Sequence, residues 1–225
     1  MRILQKTRWI FLLSALLLGL GVPETSAQSD GRFAAGLVAG INAAQIDGDT
    51  YAGYRKLGFQ AGLQGMVLLG ERFALSTEIL LSQRGAQPSR KEKLEDFDNY
   101  INIRLTYIEI PILLNLNVGR AAGAALPYRI FAGVSIGRLI GSRIREIGES
   151  VRFYPYLNMN AIKDDFAVFD TSLILGLQRQ LSRHTGLFLK HTLTLQELYT
   201  PMGENDIFNE LEPFHFTVGM SYVFY

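Results

Sequence analysis

The sequence predicts an all-β fold, specifically an eight-stranded antiparallel up-and-down transmembrane β-barrel. Three observations lead to this prediction. After an apolar leader, eight segments alternate apolar and polar residues with the period of two that strands require. Most segments are longer than the strands of soluble sheets and suit tilted membrane strands. The connections alternate long and short to the C-terminus, as in outer-membrane barrels with short periplasmic turns and long outer loops.

The N-terminus has the pattern of a secretory signal peptide. Arg2, Lys6 and Arg8 precede an apolar run from Trp9 to Val22, and small residues allow cleavage after Ala27. The run is shorter than the roughly 20 residues that a membrane-spanning helix needs. We therefore expect residues 1–27 to be removed, leaving residues 28–225 as a single barrel domain.

Composition excludes several classes of protein. Loss of the leader changes the formal net charge from +1 to about −1, so the mature chain lacks the strongly basic balance typical of nucleic-acid binding. The chain has no cysteine, which excludes disulfides. No stretch after the leader approaches 18 consecutive apolar residues, which excludes helical membrane spans.

The first four predicted strands each have one large apolar face and one face of small or polar residues. They are Arg32–Ala43, Lys56–Leu69, Arg72–Gly85 and Arg104–Asn117. In the fourth, every second residue from Ile108 to Leu116 is isoleucine or leucine. Pro111 interrupts this strand without an N–H group for the ladder, and it predicts a bulge or a local bend.

The last four predicted strands repeat this alternation. They are Pro127–Leu139, Phe169–Gln180, Gly186–Glu197 and Pro213–Tyr225. Strands six and seven carry leucine at alternate positions, opposite glycine, serine, threonine and glutamine. The last strand alternates large apolar residues from Phe214 to Phe224 with an inward set of His215, Thr217, Gly219, Ser221, Val223 and Tyr225. The long connections predicted between strands are Ala44–Arg55, Ala86–Ile103, Ile140–Val168 and Leu198–Glu212.

The distribution of charge and glycine indicates which face is inside. Charged residues are scarce within strands and concentrated in long connections such as Arg90–Asp98. Glycine recurs on the less apolar face, which suits a crowded lumen better than a wet surface. We therefore expect the large apolar face to contact lipid, with both termini in the periplasm. The alternative is a soluble lipocalin-like binder with the apolar face inside.

Strands three and four carry motifs of a known family. Phe73–Leu80 reads FALSTEIL and Tyr107–Leu114 reads YIEIPILL. With the glycine-rich hairpin Gly36–Gly62 and the pattern Asp170–Gly176, these segments resemble the PorT-like outer-membrane β-barrel family. In the second motif, Ile108 stands where leucine is commoner in this family. The resemblance implies an eight-stranded barrel in a bacterial outer membrane. One named member serves a protein-secretion apparatus, whereas most relatives have no assigned role.

Six charged residues fall on the inward face. Because buried charge is costly unless paired, we expect an interior ion-pair network. Its members are Glu78, Arg84, Glu109, Arg129, Asp170 and Lys190. Arg84, Arg104 and Lys190 are the expected partners of Glu78 and Glu109. A barrel of eight strands is just wide enough to be filled by side chains, which favours a structural plug.

Two functional alternatives use the same inward face. The charged residues could form a proton or ion path, or a carboxylate pair for acid–base chemistry. A narrow channel is the second alternative, supported by the inward polar residues Gln60, Gln64, Asn115, Gln178 and Thr192.

Catalytic and metal sites have weak support. A lipid-modifying barrel enzyme could use His191 with Ser182 or Thr192, but the strand phase separates these side chains. Four aspartates could offer oxygen ligands, yet they fit solvated turns better; they are Asp47, Asp49, Asp164 and Asp165. We predict no catalytic residues, no cofactor and no metal.

Aromatic residues near strand ends predict membrane girdles. The candidates are Phe33, Tyr107, Tyr128, Tyr199, Tyr222 and Phe224. The aromatic C-terminus Tyr222–Tyr225 resembles the signal that the outer-membrane assembly machinery recognises. The expected partners are outer-membrane lipid and this machinery, with an envelope protein left open and no nucleic acid. We expect a monomer.

Overall fold

A computed structural model describes residues 32–47, 53–87, 100–119, 128–147, 163–199 and 211–224. Eight antiparallel strands follow one another around a closed barrel, and the last strand pairs with the first. The strands are β1 Phe33–Asp47, β2 Lys56–Leu68, β3 Phe73–Ala86, β4 Tyr100–Val118, β5 Tyr128–Ile147, β6 Phe169–Gln180, β7 Thr185–Thr194 and β8 Glu212–Phe224. The predicted fold class is confirmed. In the described residues, no helix has the length and apolar character to cross a membrane.

The barrel has two distinct ends. Ala35 near the start of β1 pairs with Phe224 at the end of β8, so the chain enters and leaves at the same end, here called the terminal end. The connections 48–55, 87–99, 148–168 and 195–211 leave the barrel at the opposite end, here called the loop end. The connections 69–72, 119–127 and 181–184 join strands at the terminal end, and two of them are shorter than any connection at the loop end.

β4 and β5 are longer than predicted at the loop end. β4 starts at Tyr100 and β5 ends at Ile147, within segments that we predicted as connections. The outward residues here are no longer apolar, so the alternation that marks a membrane strand fades although pairing continues. β6 has the predicted bounds. The predicted loop segments 90–98 and 153–156 and the leader lie outside the described residues.

Of the predicted bulge or local bend at Pro111, the bulge is wrong, although the β3–β4 ladder is interrupted there: Ile110 and Pro111 have no pairs on β3. Pro111 lies opposite Ser135 in continuous register, because losing one N–H group removes one bond without requiring an extra residue. The irregularity lies instead between Thr106 and Tyr107, where β5 has one extra residue, Ile140. An extra residue reverses which side chains point inward beyond it.

This reversal changes the orientation of several residues at the loop end of β5. Before the bulge, odd-numbered residues such as Ser135 and Gly137 point inward. Beyond it, the even-numbered Ile144 is buried, while Arg143 and Arg145 are exposed. The bulge therefore turns two arginines out of the barrel.

The outer surface is an apolar belt, here called the membrane band. Large apolar side chains point outward from every strand, and Ile112 is 51% exposed. The belt includes Leu37, Ile41, Phe59, Leu63, Leu75, Ile79, Ile108, Ile110, Leu114, Ile130, Val134, Ile136, Leu173, Leu175, Leu187, Leu189, Phe216, Val218 and Met220. A soluble protein rarely exposes such a continuous surface, so this face suits lipid. The lipocalin-like alternative, which places these residues inside, does not fit.

Three apolar clusters fill parts of the interior. The cluster nearest the terminal end contains Ala34, Met66, Ala74 and Val223. The middle cluster contains Val38, Leu80, Leu113, Phe131, Ile174 and Phe188. The cluster at the loop end contains Ile46, Ala86, Ile103, Leu105, Tyr107, Ile144, Phe166, Leu198, Tyr199 and Leu211. Inward glycines make room for these side chains: a β-carbon at Gly176 would overlap the ring of Phe131.

Candidate functional site

The interior charges nearest the loop end meet around Arg84 of β3. Its side chain is 1% exposed and pairs with Asp170 of β6 and with Glu109 of β4, 3.6 Å from Nη1 to Oε1. The guanidinium lies over the Tyr107 ring at 3.9 Å from the ring centroid. Because Tyr107 also belongs to the loop-end cluster, this ion-pair group lies directly against that apolar layer.

A second ion pair lies beside the middle cluster. Lys190 Nζ of β7 is 3.7 Å from Glu78 Oε2 of β3. Gln64 Nε2 donates to Glu78 Oε1 at 3.2 Å, so both carboxylate oxygens face a polar group. The cavity beside this pair, also lined by Phe131 and Phe188, has a volume of about 10 Å³. This is room for about one water molecule.

Uncharged hydrogen bonds connect the other strands inside the barrel. Asn42 Nδ2 of β1 donates to Ser82 Oγ at 3.2 Å, and its Oδ1 accepts from Thr217 Oγ1 of β8 at 2.8 Å. Across the barrel, Asn115 Nδ2 of β4 donates to Ser76 Oγ at 2.9 Å. Buried polar groups need such partners, so these bonds fix side chains that would otherwise be costly to enclose.

The structure brings together five of the six predicted interior charges, in two groups. Arg129 is not among them: it lies near the terminal end, where its Nε donates to Asn117 Oδ1 at 3.0 Å. Arg104 is not a partner of Glu78 or Glu109, because its side chain points outward. Sequence reasoning missed the part played by Tyr107 under Arg84. Its inward phase beside Glu109 was the available signal.

The chemistry open to this interior is limited. Glu109 and Asp170 share one guanidinium, and Glu78 is held by an ammonium and an amide. Apolar clusters lie against both groups, so the carboxylates are not arranged around an open substrate site. Carboxylates that are already paired with cations in this way suit a structural role.

The family assignment agrees with this architecture. Residues 26–199 match the model of a family described as outer membrane protein beta-barrel domain. The chain belongs to this family. It is therefore a bacterial outer-membrane β-barrel protein, and the membrane band is the surface that contacts lipid. No curated protein matches the sequence.

Solved structures with a similar fold are distant in sequence. Ail of Yersinia pestis, described as the attachment invasion locus protein, shares 11% identity with a TM-score of 0.45, and the match covers 86% of this chain and 99% of Ail. Neisserial surface protein A shares 10%, with a TM-score of 0.40 and coverage of 84% and 96%. OprG of Pseudomonas aeruginosa shares 11%, with a TM-score of 0.37 and coverage of 86% and 94%. Similarities this distant carry no information about function.

The candidate catalytic residues of this outer-membrane barrel are not brought together. His191 lies on the outer face of β7, where its ring stacks on Phe216 at 4.0 Å and its Nε2 is 3.2 Å from Tyr54 Oη. Ser182 lies in a turn at the terminal end, and Thr192 points into the barrel. His191 is thus part of an aromatic cluster at the edge of the membrane band.

The aromatic girdle of the outer-membrane barrel is only partly as predicted. Phe33, Tyr128, Tyr222 and Phe224 are exposed on the outer face near the terminal end. Tyr107 and Tyr199 are buried in the loop-end cluster, so their assignment to a girdle is wrong. β4 starts earlier than predicted, which places Tyr107 well inside the strand, where its phase points inward.

The acidic residues considered for metal binding are spread out. Asp47 ends β1, and a short 3-10 helix, Lys163–Asp165, contains Asp164 and Asp165. Asp49 lies outside the described residues. Within the described ranges, no group of three or more histidine, cysteine, aspartate or glutamate side chains could hold a metal ion.

Proposed function

We propose that this outer-membrane protein is a non-enzymatic, monomeric barrel with a side-chain-filled interior, which acts through its loop end or through envelope partners. The observation that carries the proposal is the filling of the lumen. Two ion-pair groups and three apolar clusters fill the interior from the terminal end to the loop end. A solute would have to displace both kinds of layer.

The electrostatics of the interior argue against conduction. A pore selects and passes ions through charged groups that remain available to the permeating ion. Here the described interior carboxylates already face Arg84 or Lys190, and the middle cluster inserts Phe131 and Phe188 between polar layers. Displacing one member of an interior ion pair would leave the other charge buried and unpaired, at a free-energy cost on the order of 3–5 kcal/mol.

Conductance in planar bilayers tests the closed lumen. The refolded barrel is expected to give no conductance steps. Replacing both Phe131 and Phe188 with alanine removes two rings from the middle cluster and provides a control for an opened lumen. Regular steps from the unmodified barrel, similar to those of this double variant, would contradict the proposal.

The absence of an enzymatic role is tested by lipid analysis. Deleting the protein from its host should leave the profiles of glycolipids and phospholipids unchanged. A lipid species that disappears on deletion and returns with the intact protein, but not with His191→Phe, would support the lipid-modifying alternative instead.

Site-specific crosslinking tests which end meets a partner. A photoreactive residue at Gln87 reports on the loop end, one at Leu181 reports on the terminal end, and one at Ile112 in the membrane band is the control. We expect a protein adduct from one of the two ends in living cells, and none from Ile112. Equal yields from all three positions would contradict a specific envelope partner.

The proposed orientation places the loops outside the cell and the termini in the periplasm. Support comes from the long connections at the loop end, which is the arrangement typical of outer-membrane barrels. A contribution to protein secretion rests on the PorT-like motifs around Glu78 and Glu109 alone. Comparing the proteins exported by cells with and without this barrel tests that contribution, and identical exported proteins would remove it.

A further inference from the structure

Three arginines form an exposed basic cluster at the loop end of β4 and β5. Arg104 and Arg143 are directly paired across the two strands, and Arg145 follows two residues further along β5. All three side chains are exposed. Cβ atoms of directly opposed residues lie about 4.5–5.5 Å apart, and like charges at this distance repel.

The ion pairs inside the barrel do not involve this cluster. Those pairs lie around Arg84 and Lys190 on the inward face. At the same end as the cluster, Asp47 of β1 is directly opposite Glu212 of β8. The loop end therefore carries an opposed pair of arginines on β4 and β5 and an opposed pair of carboxylates on β1 and β8.

The cluster borders an open pocket. A pocket of about 540 Å³ is lined by Asn102, Arg104, Arg143, Ile144 and Arg145. This volume lies in the range of small-molecule sites, about 300–1,000 Å³. Asn102 Oδ1 also accepts a hydrogen bond from Lys56 Nζ, which places a fourth cation beside the pocket.

The pocket lies just beyond the membrane band. Ile108 is the apolar outward residue of β4 nearest the arginines, and Arg104 precedes it by four residues, about 13 Å along the strand at about 3.3 Å per residue. With a strand tilt of about 40°, this is roughly 10 Å along the membrane normal, at the depth of the lipid headgroups. Arg138, opposite Ile108, marks the boundary with its guanidinium 5.8 Å from the Phe169 ring centroid.

The bulge at Ile140 shows why the cluster exists on this face. Without the extra residue, the inward phase of β5 would carry Arg143 and Arg145 into the lumen. The chain instead presents both on the outside, next to Arg104. Bulges often re-aim side chains in this way at barrel rims.

We propose that Arg104, Arg143 and Arg145 bind the phosphate groups of a phosphorylated glycolipid in the adjacent membrane leaflet. Guanidinium groups bind phosphate oxygens in a two-pronged geometry, and a bound dianion would neutralise the opposed pair. Continuity with the membrane band favours a lipid over a dissolved anion. This proposal rests on the proposed orientation, in which the neighbouring leaflet is the outer one.

Lipid retention in nanodiscs tests the site independently of the lumen. The full barrel is placed in phosphatidylcholine nanodiscs doped with bisphosphorylated lipid A, and bound lipid is counted by native mass spectrometry. Both leaflets contain the probe, so the result does not depend on orientation, and conductance plays no part in it. A failure here would leave the closed-barrel proposal standing.

Variants separate charge from geometry. The triple variant R104Q/R143Q/R145Q should lower lipid A retention about 10-fold or more, as expected for losing several charge-assisted contacts. The triple lysine variant should retain an intermediate amount, because lysine keeps the charge and loses the two-pronged geometry. The matched control D47N/E212Q, which changes the opposed carboxylates at the same end, should bind as the unmodified barrel does. Heat-modified gel mobility confirms that each variant is folded.

Competing ligands identify the source of the phosphate. Dephosphorylated lipid A should not be retained, and phosphatidylglycerol should be retained less than lipid A. Equal retention by the triple glutamine variant would overturn the proposal. It would also be overturned if millimolar inorganic phosphate displaced lipid A, or if phosphatidylglycerol bound equally well.

Discussion

The membrane band and the loop end of this barrel are built with opposite patterns. In the band, apolar residues such as Ile112 point outward and charged residues such as Glu78 point inward. At the loop end the arrangement reverses, because Arg104 points outward while Ile103 and Leu105 are buried. A side chain's burial is thus decided by what surrounds the barrel: lipid at one level and water or headgroups at the next.

β4 crosses this boundary without ending. Its outward residues change from Ile108 through Thr106 to Arg104 within a single strand. The register with β5 shifts at the same level, between Thr106 and Tyr107. The coincidence indicates that the bulge serves the change of surroundings, because it lets Ile144 enter the loop-end cluster while the arginines leave the interior.

The largest expected effect comes from a charge that is buried inside the barrel. Arg84→Leu leaves Glu109 and Asp170 buried without a cation, which should destabilise the barrel by about 3–5 kcal/mol. Arg104→Leu, at the exposed loop end, should change stability by no more than about 0.5 kcal/mol. Urea unfolding in lipid vesicles, followed by gel mobility, measures both. Equal losses would mean that the two arginines occupy similar surroundings.

A matched pair of phenylalanines tests the loop-end cluster. Phe166 is 4% exposed inside it, whereas Phe169 is 58% exposed at the edge of the band. Phe166→Ala should cost about 3 kcal/mol, the low end for a buried phenylalanine, because the loop end can partly close around the gap. Phe169 faces lipid, and lipid also surrounds the alanine of Phe169→Ala, so this change should cost under about 1 kcal/mol. A larger loss from Phe169→Ala than from Phe166→Ala in the same unfolding assay would contradict the packing of the loop-end cluster.

New charges on the outer surface should show the boundary directly. Ile112→Arg puts a cation at the middle of the band and should cost about 2–4 kcal/mol. Thr106→Arg, on the same face near the boundary, should cost about 0–1 kcal/mol. A comparison of the unfolding midpoints of the two variants measures the difference. A penalty at Thr106 as large as that at Ile112 would place the boundary nearer the loop end.

The band was predictable from sequence, whereas the loop end was not. Period-two alternation gave the strand number, the inward set and the bounds of β6, because lipid outside and a narrow lumen inside impose a strict pattern. The pattern fails where the surroundings change, so the loop-end parts of β4 and β5 were assigned to connections. The bulge at Ile140 depends on cross-strand register, which a single sequence does not contain.

The interior network was predictable only as a set. Strand phase identifies Glu78, Arg84, Glu109, Asp170 and Lys190 as inward, but it does not say which strands meet across the lumen. Arg129 shares their phase and lies at another level. Pairing depends on the tilt of the strands around the closed barrel, a property of the whole sheet.

The smallest expected effect concerns Tyr54 at the loop end. Partial burial, together with the negative charge of Asp47, raises the pKa of the Tyr54 phenol above its ordinary value of 10.0. A raised pKa stabilises the fold below the ordinary value, and this contribution disappears as pH rises through the folded value. Asp47→Asn should lower the pKa of Tyr54, as seen in the phenolate absorbance during alkaline titration. An unchanged or higher value would contradict this contact.

The change from lipid to water along the outward face of β4 is tested most directly by measuring the membrane depth of successive outward positions. The chain contains no cysteine, so single cysteines at 104, 106, 108, 110, 112 and 114 carry spin labels without background. In lipid vesicles, we predict that oxygen collides most with labels at 110–114 and a water-soluble nickel complex most with the label at 104, with the two profiles crossing near 106. Nickel access at 110–114 equal to that at 104 would contradict the account, because the face we assign to lipid would then be in water.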